Sequence, residues 1–337
     1  MNWLALDIGG ANIKVADGKR FAESHTFEMW REAKRLSQQL RMIITQSPTS
    51  SHLAVTMTGE LADCFETKSH GVKFIVDAVE EAADGRHTRI YLTDARIVSP
   101  QIALRDPSLV ASANWHALAR FAGRIAEQGT GLLIDIGSTT TDIIPLCDGK
   151  VTAAGWTDAE RLLNGELVYT GVERSPVCAL IDSAPYRGKQ CPVAQELFAT
   201  TGDAYVILGD LPEGPARTST ADGKPATKKA ARVRLGRMFC ADEDKFNHRD
   251  AVALSHAVAD AQMFLISTSV KRVIGEMPEP LKKVILSGHG EFLGQRVLEE
   301  LGLTAEIIVM TRVLGSTVSR CATAHALAVL ANEGMES

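Results

Sequence analysis

The chain has 337 residues, 45% of them hydrophobic and 23% charged, with 27 Gly against 12 Pro. That length exceeds one ordinary core and predicts two lobes, and the composition excludes collagen-like, proline-rich and disordered chains. Lys and Arg number 36 against 41 Asp and Glu, a net charge of −5, so no broad basic field exists for a nucleic acid or an anionic membrane surface, and neither is expected as a partner.

The N-terminus lacks a basic region followed by a long apolar run, and no stretch reads as long enough to span a bilayer, which predicts a cytoplasmic protein. Six cysteines stand far apart with no C-x-x-C, a pattern of reduced thiols rather than of a disulfide framework or zinc site.

Leu4-Ala5-Leu6-Asp7-Ile8-Gly9-Gly10 is echoed by Leu132-Leu133-Ile134-Asp135-Ile136-Gly137-Ser138, with Asp135 standing 128 residues after Asp7. Each copy reads as a strand, a tight Asp-x-Gly turn, a second strand and an Asp-Gly hairpin, at Asp17-Gly18 and Asp148-Gly149. After the first meander come an amphipathic stretch over 29–45, a strand over 53–57, a helix over 72–83, a short strand over 90–93 and a helix over 108–127, a βββαβαβα order. The second half opens the same way and departs over about 164–247, where prolines, glycines and the polar run 217–229 predict an inserted subdomain with a mobile loop. Then follow a helix over 251–274, a strand over 283–286, a helix over 291–301, a strand over 305–309 and a closing helix over 316–331. The expected fold is α/β, with lobes 1–128 and 129–337 facing each other across a cleft.

The duplicated turns carry the chemistry. Gly9, Gly10 and Gly137 let backbone N–H groups approach a phosphate with no Cβ in the way, while Asn12, Ser138, Thr139, Thr140 and Thr141 add polar side chains. Asp7, Asp135 and Asp142 stand near strand ends, where they can hold Mg²⁺ through waters. A single Asp-Gly turn needs no ligand to explain it, but hairpin stability does not require the repetition.

Lys14 reads either as a phosphate-neutralising cation in the cleft or as a solvated strand lysine. The strand ending in Ser287-Gly288-His289-Gly290 enters a Gly-rich turn before a helix, which makes Gly288 and Gly290 phosphate-binding candidates and His289 a base or diphosphate ligand. Glu60 and Asp94 follow first-lobe strands and are candidates for general base or metal ligand, with helix capping as the bland alternative. Asn114-Trp115-His116 reads first as a packing cluster, and the basic segment around Lys224, Lys228, Lys229, Arg232 and Arg234 as a lid or a solvated loop.

These loops, with the Leu286–Gly290 turn, resemble the acetate and sugar kinase, heat-shock protein and actin superfamily. More narrowly, Met57-Thr58-Gly59-Glu60-Leu61-Ala62-Asp63-Cys64-Phe65 and Ala113-Asn114-Trp115-His116-Ala117 resemble the hydantoinase A-like proteins of the tetrahydromethanopterin-linked one-carbon pathway, the methanofuran-biosynthesis synthase family. The resemblance implies a two-lobed actin-like ATPase (ribonuclease H-like) fold with an insertion in the second lobe. It also implies a Mg²⁺-dependent transferase that joins an (aminomethyl)furanmethyl diphosphate to the phenol of a glutamylated tyramine or tyrosine-like acceptor, releasing diphosphate. Its partners are then small molecules, the diphosphate substrate and the phenolic amine, and the oligomeric state stays open, a homo-oligomer included. Two other readings compete: an ATP-dependent small-molecule kinase or hydrolase of the same superfamily, and a non-catalytic nucleotide-gated assembly protein.

Overall fold

The computed structural model describes residues 2–334. Every residue of β1 (Trp3–Ile8) is buried, the mark of a central strand covered on both faces. β2 (Asn12–Ala16) and β3 (Ala22–Thr26) continue from it as an antiparallel meander, while β4 (His52–Met57) and β5 (His87–Tyr91) run parallel on its other side. β6 (Ile97–Val98) closes the edge, giving the order β3-β2-β1-β4-β5-β6.

The second sheet reuses the plan. β7 (Thr130–Ile136) pairs antiparallel with β8 (Thr141–Cys147), and β8 pairs in turn with the short β9 (Lys150–Val151) and β10 (Leu167–Val168). A separate hairpin follows, β11 (Ser183–Tyr186) with β12 (Lys189–Pro192). β13 (Lys283–Ser287) then lies parallel to β7, and β14 (Glu306–Val309) parallel to β13. Both Asp-Gly hairpins form, with Gly18 at φ 73° and Asp148-Gly149 at φ 46° and 74°.

The last helix of each half packs on the other half's sheet. Trp115, Leu118, Ala119 and Ala122 of the Asn114–Gly123 helix share a core with Leu133, Ile144 and Leu146 of the second sheet. Leu327, Ala328, Leu330 and Ala331 of the Ala322–Glu333 helix share one with Trp3, Ala5 and Ala54 of the first. The two helices also pack on each other. Gly123 is required by this arrangement, since a Cβ there would fall 2.2 Å from the Gly149 carbonyl oxygen.

Several elements differ from expectation for physical reasons. The helix over 108–127 is two pieces, Pro107–Val110 and Asn114–Gly123, interrupted where Ser112 adopts φ 52°. Within 164–247, β10 belongs to the main sheet, and Tyr205, Leu235, Met238 and Phe246 join the core formed by Ile134, Ile143 and Leu286. The polar run over 217–229 is tied down: Arg217 pairs with Glu173 at 3.3 Å, Gly214 bridges Ala226, and buried Arg234 bonds both Asp203 and Asp222.

One expectation is corrected outright. The His248–Gly275 helix is long and apolar enough by length and composition to cross a membrane. In the fold one of its faces, with Leu254, Val258, Ile266 and Val270, lies in the second-lobe core.

Candidate active site

Both Asp-x-Gly loops are closed by the same bond. The Gly9 N–H donates to the Asn12 carbonyl and the Gly137 N–H to the Thr140 carbonyl, each at 2.9 Å. The strand register then sets Asp7 opposite Lys14 and Asp135 opposite Asp142. Space at the loops is open: a Cβ on Gly10 would meet nothing within 4 Å, and one on Gly137 would meet only the Thr140 oxygen at 3.5 Å. Asn12, Ser138, Thr139 and Thr140 are half-buried around that space.

Lys14 is a cation of this electrostatic cluster, with its side chain 28% exposed. Its Nζ lies 3.9 Å from Asp7 Oδ2. Burial works against its charge, but Asp7, Asp135, Cys321 and Asp142 outweigh that and lift its pKa, so it stays protonated. Asp7 is buried and one of its oxygens, Oδ1, has no hydrogen-bond partner among the described residues; burial raises its pKa against the opposing pull of Lys14. Asp135 is pushed up to about 6, first by burial and then by the Asp142 charge. The first lobe thus supplies a cation to carboxylates from both lobes.

Other expected residues are engaged elsewhere. Asp142 is a correction as a metal ligand, because buried Arg161 bonds it directly, and the Arg161 guanidinium in turn lies 4.2 Å from the Trp115 ring centroid. Thr141 is a correction as a phosphate donor, since its buried hydroxyl donates to the Thr170 carbonyl at 2.8 Å. Gly288 and Gly290 owe their identity to packing: a Cβ on Gly288 would fall 2.3 Å from the Ile136 oxygen, and one on Gly290 2.4 Å from Ile136 Cγ2. Asp94 lies outside the cluster in a surface turn, where it holds Arg96 at 2.6 Å, and its neighbour Ala95 lines two cavities of about 350 Å³ among Arg120, Arg124 and Leu330. Glu60 is 1% exposed and faces Ser112 rather than open space.

Sequence reasoning missed the residues that brace the second loop. The N–H groups of Glu173 and Arg174 donate to the Ser138 carbonyl, and a Cβ on Gly171 would fall 2.5 Å from Thr139 N. The Glu173 carboxylate then lies 3.4 Å from His289 Nδ1, so His289 is oriented by it; His289, with Arg217, holds the Glu173 pKa low against burial. Across the lobes, the Arg174 guanidinium stacks 4.4 Å over the Trp30 ring. Glu173 and Arg174 sit in the irregular segment after β10, where no periodicity marks them. In the Ala113–Ala117 stretch, His116 is buried against the Tyr91 hydroxyl at 2.9 Å, and its pKa is lowered to about 4, chiefly by burial.

Among the described residues no three His, Cys, Asp or Glu side chains converge as a closed metal cage. The unpartnered Oδ1 of Asp7, with Asp135 in the same electrostatic cluster, nevertheless fits a hard cation that keeps most of its waters and takes one or two carboxylates.

Comparison with known proteins adds to this geometry. The hydantoinase/oxoprolinase family profile matches residues 52–333. A protein of Methanocaldococcus jannaschii named (4-{4-[2-(gamma-L-glutamylamino)ethyl]phenoxymethyl}furan-2-yl)methanamine synthase is 31% identical over 99% of this chain and 98% of its own. The nucleotide-free acetone carboxylase structure covers 97% of this chain and 70% of its own at 10% identity, with a TM-score of 0.56. An archaeal actin homologue covers 99% and 100% at 11% identity, with a TM-score of 0.42. The architecture is the two-lobed actin-like ATPase and sugar-kinase fold.

Proposed function

This chain belongs to the hydantoinase/oxoprolinase family, and on that premise we propose that it is a biosynthetic enzyme making the aryl-methyl ether of a methanofuran-type cofactor. The observation that carries the reading is the near-full-length likeness to the Methanocaldococcus jannaschii synthase, whose name describes a phenoxymethyl-furan ether. In the reaction, the phenol oxygen of a glutamylated tyramine or similar acceptor forms a bond to the furan methylene carbon. The bond from that carbon to the diphosphate oxygen breaks, diphosphate leaves with the electron pair, and the phenol proton passes to a base.

The residues suit these demands. A departing diphosphate needs positive charge and hydrogen-bond donors in a site of low dielectric. Lys14 supplies the charge, and the open backbone at Gly10 and Gly137, with Asn12, Ser138, Thr139 and Thr140, offers the donors. Asp7 and Asp135 are the residues that would hold Mg²⁺, which when bound neutralises charge on the diphosphate. His289, oriented by Glu173, takes the phenol proton.

The test is stoichiometric. With Mg²⁺, an (aminomethyl)furanmethyl diphosphate and a phenolic amine, inorganic diphosphate should appear one-to-one with ether, and ATP should not be consumed. ADP formation with an inert furan diphosphate would overturn the reading in favour of the superfamily's commoner phosphotransfer.

A further inference from the structure

Behind the first loop lies a contact that the proposed reaction does not use. The Thr58 N–H donates to the Ile8 carbonyl at 3.0 Å, and a Cβ on Gly59 would come within 3.1 Å of the Gly9 oxygen, so the turn carrying Glu60 backs onto the Asp-x-Gly loop. From the other side the Lys68–Ala82 helix presses on it: a Cβ on Gly71 would fall 2.5 Å from the Glu60 carbonyl oxygen. Glu60 is therefore clamped in place and sealed from water.

Its Oε1 lies 3.0 Å from Ser112 Oγ, and its Oε2 has no partner among the described residues. Ser112 is the residue with φ 52° that interrupts the helix, a conformation non-glycine residues seldom adopt and one that tends to persist where surrounding contacts hold it. The same Oγ lies 2.9 Å from Oδ2 of Asp158, which belongs to the second lobe. Asp158 is also held by Lys68 Nζ at 2.6 Å and lies 3.8 Å from Arg161 Nη1.

Counting protons decides the arrangement. A serine hydroxyl has one proton and cannot donate to two carboxylates at once. If both acids were ionised, one of these two contacts would set lone pair against lone pair, between buried groups at Glu60 or beside the half-buried Asp158, a costly arrangement. Two cations, Lys68 and Arg161, lie beside Asp158, whereas among the described residues no cation bonds Glu60. We infer that Glu60 is a neutral acid donating to Ser112, which donates to Asp158, so that a single proton joins the two lobes directly behind the first phosphate loop. Glu60, Ser112, Asp158 and Lys68 are then positioning residues that fix one lobe against the other, whatever reaction the cleft performs.

The surroundings agree. Burial raises the Glu60 pKa and the Asp158 charge adds to the shift, opposed by the Glu60 backbone amide, the Ser112 hydroxyl and Lys68. A folded-state pKa above the unfolded one means that stability is full at low pH and is lost as pH rises through the folded value. Glu60→Gln keeps the shape and the donor to Ser112 but cannot ionise, so it should gain on wild type as pH rises.

The experiment uses the full chain and needs no substrate. Infrared difference spectra at pH 7 should show a protonated-carboxyl C=O band that disappears in Glu60→Gln and survives in Asp135→Asn. The thermal midpoint of Glu60→Gln should rise relative to wild type from pH 5 to pH 8. Ser112→Gly, which tolerates φ 52°, should speed amide exchange about tenfold in both the 58–61 and the 157–160 segments. A spectrum in which Glu60→Gln removes no carboxyl band, a stability gap that does not change with pH, or faster exchange in one lobe alone would each overturn the inference.

Discussion

Where the β1–β2 hairpin carries Lys14, the β7–β8 hairpin carries Asp142, at the same place in the register and behind the same closing bond. Around the first the loop opens at Gly10, and Lys14 points its charge at acids from both lobes. Around the second, the Glu173 and Arg174 amides grip the Ser138 carbonyl, and Arg161 takes up Asp142. Duplication has kept the backbone and divided the labour. One hairpin presents a cation, while the other is braced by backbone amides and an arginine from outside the repeat, and an isolated copy would have neither the full set of charges nor the bracing.

That division can be broken at graded cost. Removing the cation is expected to cost most: Lys14→Met leaves Asp7 and Asp135 uncompensated, and turnover should fall by roughly 10³, read as diphosphate release at saturating Mg²⁺. An equally active variant would return Lys14 to the role of a strand lysine. Next comes the brace: Arg161→Met strands Asp142 in a buried site, and urea unfolding should show a loss of about 3 kcal/mol.

Asp7→Asn and Asp135→Asn should each lower turnover by about 10² while folding survives. Asp135 titrates near 6 in the folded chain, above an unfolded carboxylate, so wild type loses stability as pH rises through that value. Asp135→Asn should accordingly melt higher than wild type at pH 7.5 without Mg²⁺, the signature of a group kept for function at a structural cost. The smallest effects separate the two kinds of glycine. Gly290→Ala collides with Ile136 and should destabilise by about 2 kcal/mol, whereas Gly10→Ala should leave stability within about 0.5 kcal/mol and weaken diphosphate binding instead.

The repeat made both loops legible, because strand, glycine turn and Asp-Gly hairpin are local features with local causes. It could not show that Lys14 faces the acids of the loops while Asp142 is taken up by Arg161, since Arg161 is buried by the Trp115 ring from the other half of the chain. Periodicity places Ser112 in a helix interior, whereas its φ of 52° is held by contacts to Glu60 and Asp158, which lie far away in sequence. Thr141 shows the converse, a hydroxyl in a promising motif already committed to the Thr170 carbonyl. Position in a motif showed where groups would gather, and burial with competition for hydrogen bonds decided which remained free.

The exchanged helices bear on how the molecule comes into being. A ribosome releases residues 1–128 first, and the face of the Asn114–Gly123 helix that bears Leu118 and Ala122 has no cover until Leu133, Ile144 and Leu146 emerge. The first sheet in its turn waits for Leu327 and Ala328, which follow every strand of the second lobe. Neither half can complete its core alone, so the nascent chain stays dependent on the Ala322–Glu333 helix, and loss of that helix should cost the first lobe as much as the second. Two separately synthesised halves, cut at the lobe boundary, should recover order only when mixed.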